Sequence, residues 1–160
     1  MNRNSAWFKK NTGRFIAGGL AIFLIFTVCD FIIHNIILAD YYMSIINIWR
    51  PDMMSLMWIM YLCTFIFSFL LMFIFIKGYE DRGIMEGVRF GIMMFLITTG
   101  IGSVYQYVVY PLPLSLVIQW LGYGLAEFIL AGIAAAAIYQ PVPEEEKESE
   151  EDEDELEIVD

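Results

Sequence analysis

The chain has 160 residues, of which 59% are hydrophobic and only 18% are charged, a balance that excludes an ordinary soluble domain and predicts an integral membrane protein. Its formal net charge of −10 comes from one segment, because residues 141–160 hold twelve acidic residues and one lysine, whereas residues 1–140 hold seven acidic and eight basic residues. An acidic chain of this kind is not expected to bind nucleic acid, since such binding depends on lysine and arginine neutralising phosphates.

The first apolar run, residues 15–38, is predicted to cross the membrane as a helix. At about 1.5 Å of rise per residue it covers roughly 36 Å, enough for a hydrocarbon core of about 30 Å. Its apolar part is too long for a cleavable signal peptide, so it is expected to remain as an anchor. The basic residues 1–14 favour a flexible leader, and a short amphipathic helix lying on the lipid headgroups is the alternative.

The second run, residues 53–76, is predicted to be a structural span. Ser68 is one of its few polar residues, and its hydroxyl can bond back to a carbonyl of its own helix. A polar connector over residues 77–89 follows. Glu86 and Arg89 are three positions apart in it, so they are expected to pair on one face of the next helix.

Small residues are the main feature of the third and fourth predicted spans, residues 84–104 and 114–139. They recur four or so positions apart, as in GxxxG, and this spacing lets helices approach closely, either within one chain or between the subunits of an oligomer. The residues predicted to line such contacts are Gly87, Gly91, Gly122, Ala126 and Gly132.

The acidic segment at residues 141–160 is predicted to be a disordered tail. Pro141 and Pro143 end the last helix, and the dense negative charge that follows repels itself and lacks aromatic residues. Such a tail could tether a basic protein partner or divalent cations.

The distribution of positive charge predicts the orientation in the membrane. Four Lys and Arg residues precede the first span and three more lie in the connector 77–89, whereas the opposite side carries Arg50 alone. Because cytoplasmic segments are enriched in Lys and Arg, both termini are expected in the cytoplasm.

Asp30 and His34 are polar residues within the first span, four positions apart and therefore on one helix face. An acid inside a membrane is costly and is a candidate functional group. One interpretation is a proton-accepting pair or half of a metal site; the other is a carboxylate–imidazole hydrogen bond completed by water, Gln106 or Gln119. Two side chains alone are too few for a zinc site.

Glu127 is an isolated acid near the middle of the fourth span. Its functional interpretation is a proton relay or substrate contact, and its structural interpretation is a hydrogen bond between helices, with Ser68 as the candidate partner at a similar depth. Counting depth along each helix separates Glu127 from Asp30 by about 15 Å, which predicts two separate sites.

Enzyme signatures are absent from the sequence. It contains no nucleotide-binding, HExxH or haem-attachment motif and no nucleophile–base–acid set, and Cys29 and Cys63 lack metal-site spacing. We therefore expect no catalytic residues, no cofactor and no resident metal.

Three stretches carry a family resemblance: DFIIHNIIL followed by WRPD, FIFIKGYEDRGIMEGVRFG, and PLPLSLVIQWLGYGLAEFILAGIAAAAIYQP. Together they resemble an uncharacterised family of small bacterial four-span membrane proteins, over most of residues 15–141. The resemblance implies a bacterial inner-membrane protein and implies no activity.

The sequence thus predicts an all-α integral membrane four-helix bundle, residues 1–140, with a disordered acidic tail. The favoured function is that of a non-enzymatic accessory or scaffold protein whose cytoplasmic tail is a tether. The alternative is a proton-linked or small-molecule carrier that uses the intramembrane acids, and an enzyme acting on a lipid or quinone comes third.

Overall fold

A computed structural model describes the backbone of residues 3–139 and the side chains of residues 12–139. Within these residues the protein is all-helical, without strands. The acidic tail predicted for residues 141–160 lies outside the described residues.

Five α-helices and two π-helical turns build the four long segments of the chain, and a short sixth α-helix and the 3-10 turn Ile46–Ile48 lie in the connection between the first two segments. The first π turn, Ile33–Ile37, extends the first helix, and the second, Leu96–Gly100, joins the fourth helix to the fifth. The α-helices are α1 (Arg3–Ile32), α2 (Ala39–Ser44), α3 (Met53–Lys77), α4 (Ile84–Phe95), α5 (Ile101–Val109) and α6 (Leu114–Ile138).

Four of these segments are long and apolar enough to cross a membrane, which confirms the number of predicted spanning helices. Their bounds are Thr12–Ile37, Met53–Lys77, Ile84–Val109 and Leu114–Ile138.

Two helices are longer than the sequence pattern suggested. The helix that carries the third span continues through α5 to Val109 because no glycine or proline follows Ser103 until Pro111. The first helix begins at Arg3, so the segment predicted as a flexible leader is helical from that residue onward. Extending an existing helix costs less than nucleating a new one, and the first span provides that helix.

The order of helix contacts is α3, α1, α6, α4, with α1 and α6 in the middle. We call the end of the bundle that carries Arg14 and Tyr139 the terminal end, and the end that carries α2 and Pro111 the loop end. α1 and the α4–α5 segment run from the terminal end to the loop end, whereas α3 and α6 run back.

α4 and α6 approach each other most closely at three of the predicted glycines. A Cβ atom added at either Gly87 or Gly132 would collide with the carbonyl oxygen of the other residue. A Cβ atom added at Gly91 would collide with the carbonyl oxygen of Phe128. Only glycine allows the two backbones to come this near.

Gly122 and Ala126 take no part in this contact, although the sequence pattern grouped them with the other small residues. Both lie on the exposed face of α6, and a Cβ at Gly122 would have no heavy atom within 4 Å. At 3.6 residues per turn they point about a quarter to a third of a turn away from Gly132, and therefore away from α4.

Two hydrophobic cores fill the bundle, one at each end. The terminal-end core takes buried residues from α1, α3, α4 and α6, such as Ile22, Met72, Met94 and Ala135. The loop-end core takes its buried residues Ile33, Leu38, Leu112, Leu116 and Val117 from the first and last spans and their adjoining loops. α3 contributes no residue to the loop-end core.

Three phenylalanine rings, one each from α1, α3 and α6, meet at the loop-end limit of the terminal-end core. Phe26 lies 5.2 Å from Phe128 and 6.1 Å from Phe67, and Phe67 lies 6.0 Å from Phe128, measured between ring centroids. We call these three residues the phenylalanine floor, because the polar groups described below lie on its loop-end side.

Glu86 fastens the connector between α3 and α4 instead of pairing with Arg89. Its two carboxylate oxygens accept the backbone N–H groups of Glu80 at 2.7 Å and Arg82 at 2.9 Å. This arrangement satisfies donors in a turn that needs a positive φ at Gly83, whereas Arg89 points to the exposed side.

Candidate functional site

Asp30 and His34 lie on one face of the first helix, one turn apart, as their spacing predicts. His34 Nε2 is 3.6 Å from Asp30 Oδ1, and the two side chains are 41% and 46% exposed. This distance is too long for a direct hydrogen bond, so the expected carboxylate–imidazole bond is not formed. The two groups instead interact as neighbouring polar groups, and as an ion pair when the imidazole is protonated.

The hydrogen-bond partner of His34 is Tyr42, a residue of α2 just beyond the first span. His34 Nδ1 lies 2.5 Å from the Tyr42 hydroxyl oxygen, and that oxygen accepts the indole N–H of Trp120 at 2.7 Å. Tyr42 therefore links the first span to α6.

The chemistry of these groups gives the chain of hydrogen bonds a direction. An indole N–H can only donate, so the Tyr42 oxygen accepts from Trp120 and its own O–H donates to Nδ1 of a neutral His34. The proton of that imidazole is then on Nε2, the nitrogen that faces Asp30.

The π turn Ile33–Ile37 and the α2 helix bring Tyr42 back over His34. The N–H of Leu38 bonds to the carbonyl of Ile33, five residues earlier, at 2.8 Å. The chain then turns into α2, and the Tyr42 ring lies nearly parallel to the imidazole, with centroids 5.7 Å apart and planes at 13°. Single π turns of this kind occur frequently at functional sites.

Three aromatic side chains, Tyr42, Trp49 and Trp120, form what we call the aromatic group of the loop end. Trp49 is 5.5 Å from Tyr42 and 6.4 Å from Trp120 between ring centroids. Burial raises the pKa of Tyr42 to about 12, and the nearby Asp30 adds to that effect while the Trp120 bond opposes it. Tyr42 thus keeps its O–H proton over the physiological pH range.

Glu127 is buried in α6 next to the phenylalanine floor. Only 8% of it is exposed, and its Oε1 has no hydrogen-bond partner in the described part of the chain. Ser68, the predicted partner, is fully buried but donates its hydroxyl to the Thr64 carbonyl of its own helix at 2.7 Å. The bond between helices expected for Glu127 is therefore absent among these residues.

Asp30 and Glu127 lie closer together in depth than the count along the sequence predicts. The charge of Asp30 acts on Glu127, and both charges act on the Cys29 thiol. The reason is the register of α1 against α6, in which Phe26 contacts Phe128. Asp30 is four residues beyond Phe26, and Glu127 adjoins Phe128, so their depths differ by about 5 Å instead of about 15 Å.

The two glutamines expected to complete the Asp30–His34 pair do not reach it. Gln119 donates its amide to the Ser115 carbonyl of its own helix at 3.1 Å, and Gln106 lies on an exposed face of α5. No cluster of three or more His, Cys, Asp or Glu that could hold a metal ion occurs among the described residues. Asp30 and His34 thus gain no third metal ligand there.

Tyr42 and Trp120 are the site residues that the sequence analysis missed. Trp120 is 78 positions from Tyr42, and Tyr42 is eight positions from His34 across a helix break, so helical spacing relates none of these pairs. An aromatic residue near a membrane boundary is common, and that signal does not distinguish these two from the others.

No family model, no curated protein and no solved structure matches this chain. The resemblance to small bacterial four-span membrane proteins therefore stays a prediction. What the geometry contributes is a buried, unpartnered acid near a second acid, Asp30, which lies 3.6 Å from His34, and His34 is hydrogen-bonded to Tyr42 at the loop end.

Proposed function

We propose that this chain is a non-enzymatic multi-pass membrane protein that works as a proton-linked carrier, with Asp30 and Glu127 as its proton-binding groups. The observation that carries the proposal is the buried Glu127 carboxyl, which has an unpartnered oxygen in the described part of the chain and a second acid beside it. An ionised carboxyl is costly in this surrounding, so the site favours a bound proton or another cation.

The proposed orientation has the terminal end in the cytoplasm of a bacterial inner membrane and the loop end outside. Arg14, Lys77, Arg82 and Arg89 lie at the terminal end, and Arg50 lies at the loop end. The positive-inside rule supports this orientation. A membrane-impermeant thiol reagent applied to intact cells should label an Asp40→Cys variant and leave a Ser149→Cys variant unlabelled; the reverse pattern would invert the orientation.

In the proposed mechanism the proton reaches the acids from the loop end. The Tyr42 hydroxyl orients a neutral His34 so that its Nε2–H faces Asp30. When a proton arrives at the Tyr42 oxygen, that hydroxyl passes its own proton to Nδ1, and the imidazolium gives its Nε2 proton to Asp30. Asp30 then exchanges a proton with Glu127, because two neighbouring carboxylates favour retaining one proton between them. The phenylalanine floor separates both acids from the terminal end.

Release on the terminal side requires the phenylalanine floor to open. Phe67 is the ring that α3 contributes, and α3 has no share in the loop-end core. A helix that is held at one end only can tilt at lower cost than one held at both. We therefore assign the moving element of the carrier to α3.

The experiment is a proton-flux assay on the full chain reconstituted in lipid vesicles with an internal pH dye. The unmutated protein should dissipate an imposed pH gradient, and Glu127→Gln or Asp30→Asn should slow this at least about tenfold, as expected when an essential proton-transfer group is removed. Asp40→Asn, an exposed acid of α2, is the matched control and should retain the flux. Absence of flux in the unmutated protein would overturn the carrier.

A second candidate function uses the acidic segment, as an accessory or scaffold protein. The segregation of twelve acidic residues into positions 141–160 favours a cytoplasmic tether for a basic protein or for divalent cations. Deleting residues 144–160 should abolish capture of a basic partner in a pull-down, and unchanged capture would count against the tether.

A further inference from the structure

We propose that the site also binds a lipophilic organic monocation in place of the proton, between the aromatic group and the phenylalanine floor, with its charge at Asp30 and Glu127. This inference rests on the proposed function of the same site and adds the chemical class of its substrate. As one cation arrives, one proton leaves a carboxyl group, so the net charge of the site stays constant.

The first argument is that no arginine or lysine with a described side chain lies at the site, where His34 carries a positive charge only when it is protonated. Of the arginines in the described residues, Arg50 is at the loop end, and it donates to Asp52 at 2.5 and 3.1 Å. The others lie at the terminal end, beyond the phenylalanine floor. A cation that binds between Asp30 and Glu127 therefore meets two acids and no arginine side chain that competes for them.

The second argument concerns the kind of cation. A bare metal ion needs several ligands, and the described residues hold no cluster of three or more that could supply them. Glu127 is more than nine-tenths buried with an unpartnered oxygen, so the site offers one strong acceptor and few others. A single delocalised or shielded positive charge, which needs no coordination shell, fits this donor set.

The third argument is the aromatic surface on either side of the acids. Tyr42, Trp49 and Trp120 lie toward the loop end, and Phe26 and Phe128 lie toward the terminal end. Ring faces attract cations, most strongly those of tryptophan, and ring edges accept apolar bodies. An organic cation with aromatic or alkyl substituents uses both properties at once.

The fourth argument is the route of entry. The loop-end half of α3 is exposed nearly all round; Met54 is 75% exposed and Trp58 62%, and the loop-end core contains no α3 residue. We therefore place the entry route sideways, between α1 and α3 on the loop-end side of the Phe23–Phe65 contact, from the lipid of the outer leaflet. That route selects cations that partition into the membrane over strongly hydrated ones.

The titratable groups that face Glu127 decide how binding depends on pH. They are Cys29 and Asp30 of the first span; His34 and Tyr42 lie beyond Asp30 toward the loop end, and the Cys63 thiol of α3 is exposed. The charged residues of α4, Glu86 and Arg89, lie at the terminal end. Protons and the organic cation therefore compete for Asp30 and Glu127, so the affinity for the cation should rise with pH.

The test uses tetraphenylphosphonium with the full chain in lipid nanodiscs, measured by tryptophan fluorescence and by calorimetry in a weakly buffered solution. We expect saturable binding that releases about one proton per cation and weakens at least about tenfold in Glu127→Gln. Tetraphenylborate, which has the same shape and the opposite charge, should not bind. Asp40→Asn is the matched control and should bind as the unmutated protein does.

Three results would overturn the inference: no saturable binding of tetraphenylphosphonium, equal binding of tetraphenylborate, or binding of tetraphenylphosphonium that Glu127→Gln leaves unchanged. Should Glu127→Gln lose its helical circular dichroism, Trp120→Phe replaces it and should weaken binding while retaining the fold. Proton flux without tetraphenylphosphonium binding removes the inference and keeps the carrier. Glu127-dependent binding without flux removes the carrier and keeps the inference.

Discussion

The two ends of the bundle are built differently. At the terminal end all four spans share one core, and α4 and α6 are locked by glycines that bring their backbones into contact. At the loop end the core comes from the first and last spans and their loops, and α3 stands apart. The polar site lies between these halves, which we call the rigid half and the loose half after their close and sparse packing.

The two π turns fit this division. Ile33–Ile37 lies in the loop-end half of the first span, and Leu96–Gly100 follows Phe95 in the third. Thr98 donates its hydroxyl to the Met94 carbonyl at 2.5 Å in the second turn, so a side chain supports the altered backbone there. Helices of the rigid half thus change their register before they reach the loop end.

The largest effect should follow from filling the glycine contact of the rigid half. Gly132→Leu forces a side chain against the backbone of Gly87 and should cost about 3 kcal/mol, near the upper range for overpacking. Gly122→Leu, on the exposed face of the same helix, should cost less than about 0.5 kcal/mol. Unfolding in mixed detergent micelles measures both, and equal costs would refute the division into rigid and loose halves.

A smaller effect should follow from removing the carboxylate that fastens the terminal-end connector. Glu86→Ala leaves the backbone N–H groups of Glu80 and Arg82 without their acceptor and should cost about 2 kcal/mol. Arg89→Ala, on the exposed side of the same helix, should change the free energy of unfolding by less than about 0.5 kcal/mol. A larger loss in Arg89→Ala would restore the Glu86–Arg89 pair that the spacing predicts.

The smallest effect belongs to the loop end. Tyr42→Phe removes the acceptor of the Trp120 N–H and the donor to His34, and should cost about 1 kcal/mol and shift the tryptophan emission. Unchanged emission and unchanged stability would mean that Tyr42 does not join the two spans.

The same variant gives a pH dependence whose sign follows from the raised pKa. The pKa of Tyr42 is about 12 in the folded chain, against an ordinary value of 10.0. The contribution of the Tyr42 hydroxyl to the free energy of unfolding is therefore complete below pH 10. It is lost as the pH rises toward 12, because between these values only the unfolded chain releases the tyrosine proton easily. Tyr42→Phe should show less of this loss. Burial also raises the pKa of Tyr79 to about 12, so Tyr79→Phe is the matched comparison.

Hydropathy was sufficient to predict four spanning helices, because each apolar run is long and bounded by polar or proline residues. The glycine spacing likewise predicted a close contact at Gly87 and Gly91, although it could not say which small residues of α6 would face them. Gly122 and Gly132 have equally suitable neighbours in sequence, and only the rotation of α6 distinguishes them.

The candidate site was less predictable because it depends on register between helices. A depth count assumes that each span starts at the membrane surface, whereas the packing of Phe26 against Phe128 aligns α1 with α6. Tyr42 reaches His34 only because a π turn and α2 reverse the chain. Neither feature has a local sequence signal of its own.

The position of Cys29 provides a native chemical probe of the gating that the proposed carrier requires. The Cys29 thiol is in α1, next to Asp30, and the charges of Asp30 and of Glu127 in α6 act on it. The second thiol, Cys63, is on the exposed side of α3. In a Cys63→Ser variant, Cys29 is the thiol that remains among the described residues, so its reaction with a maleimide should report in real time whether the interior of the bundle is open. Its reaction rate would then distinguish an occluded state from an open one in living cells.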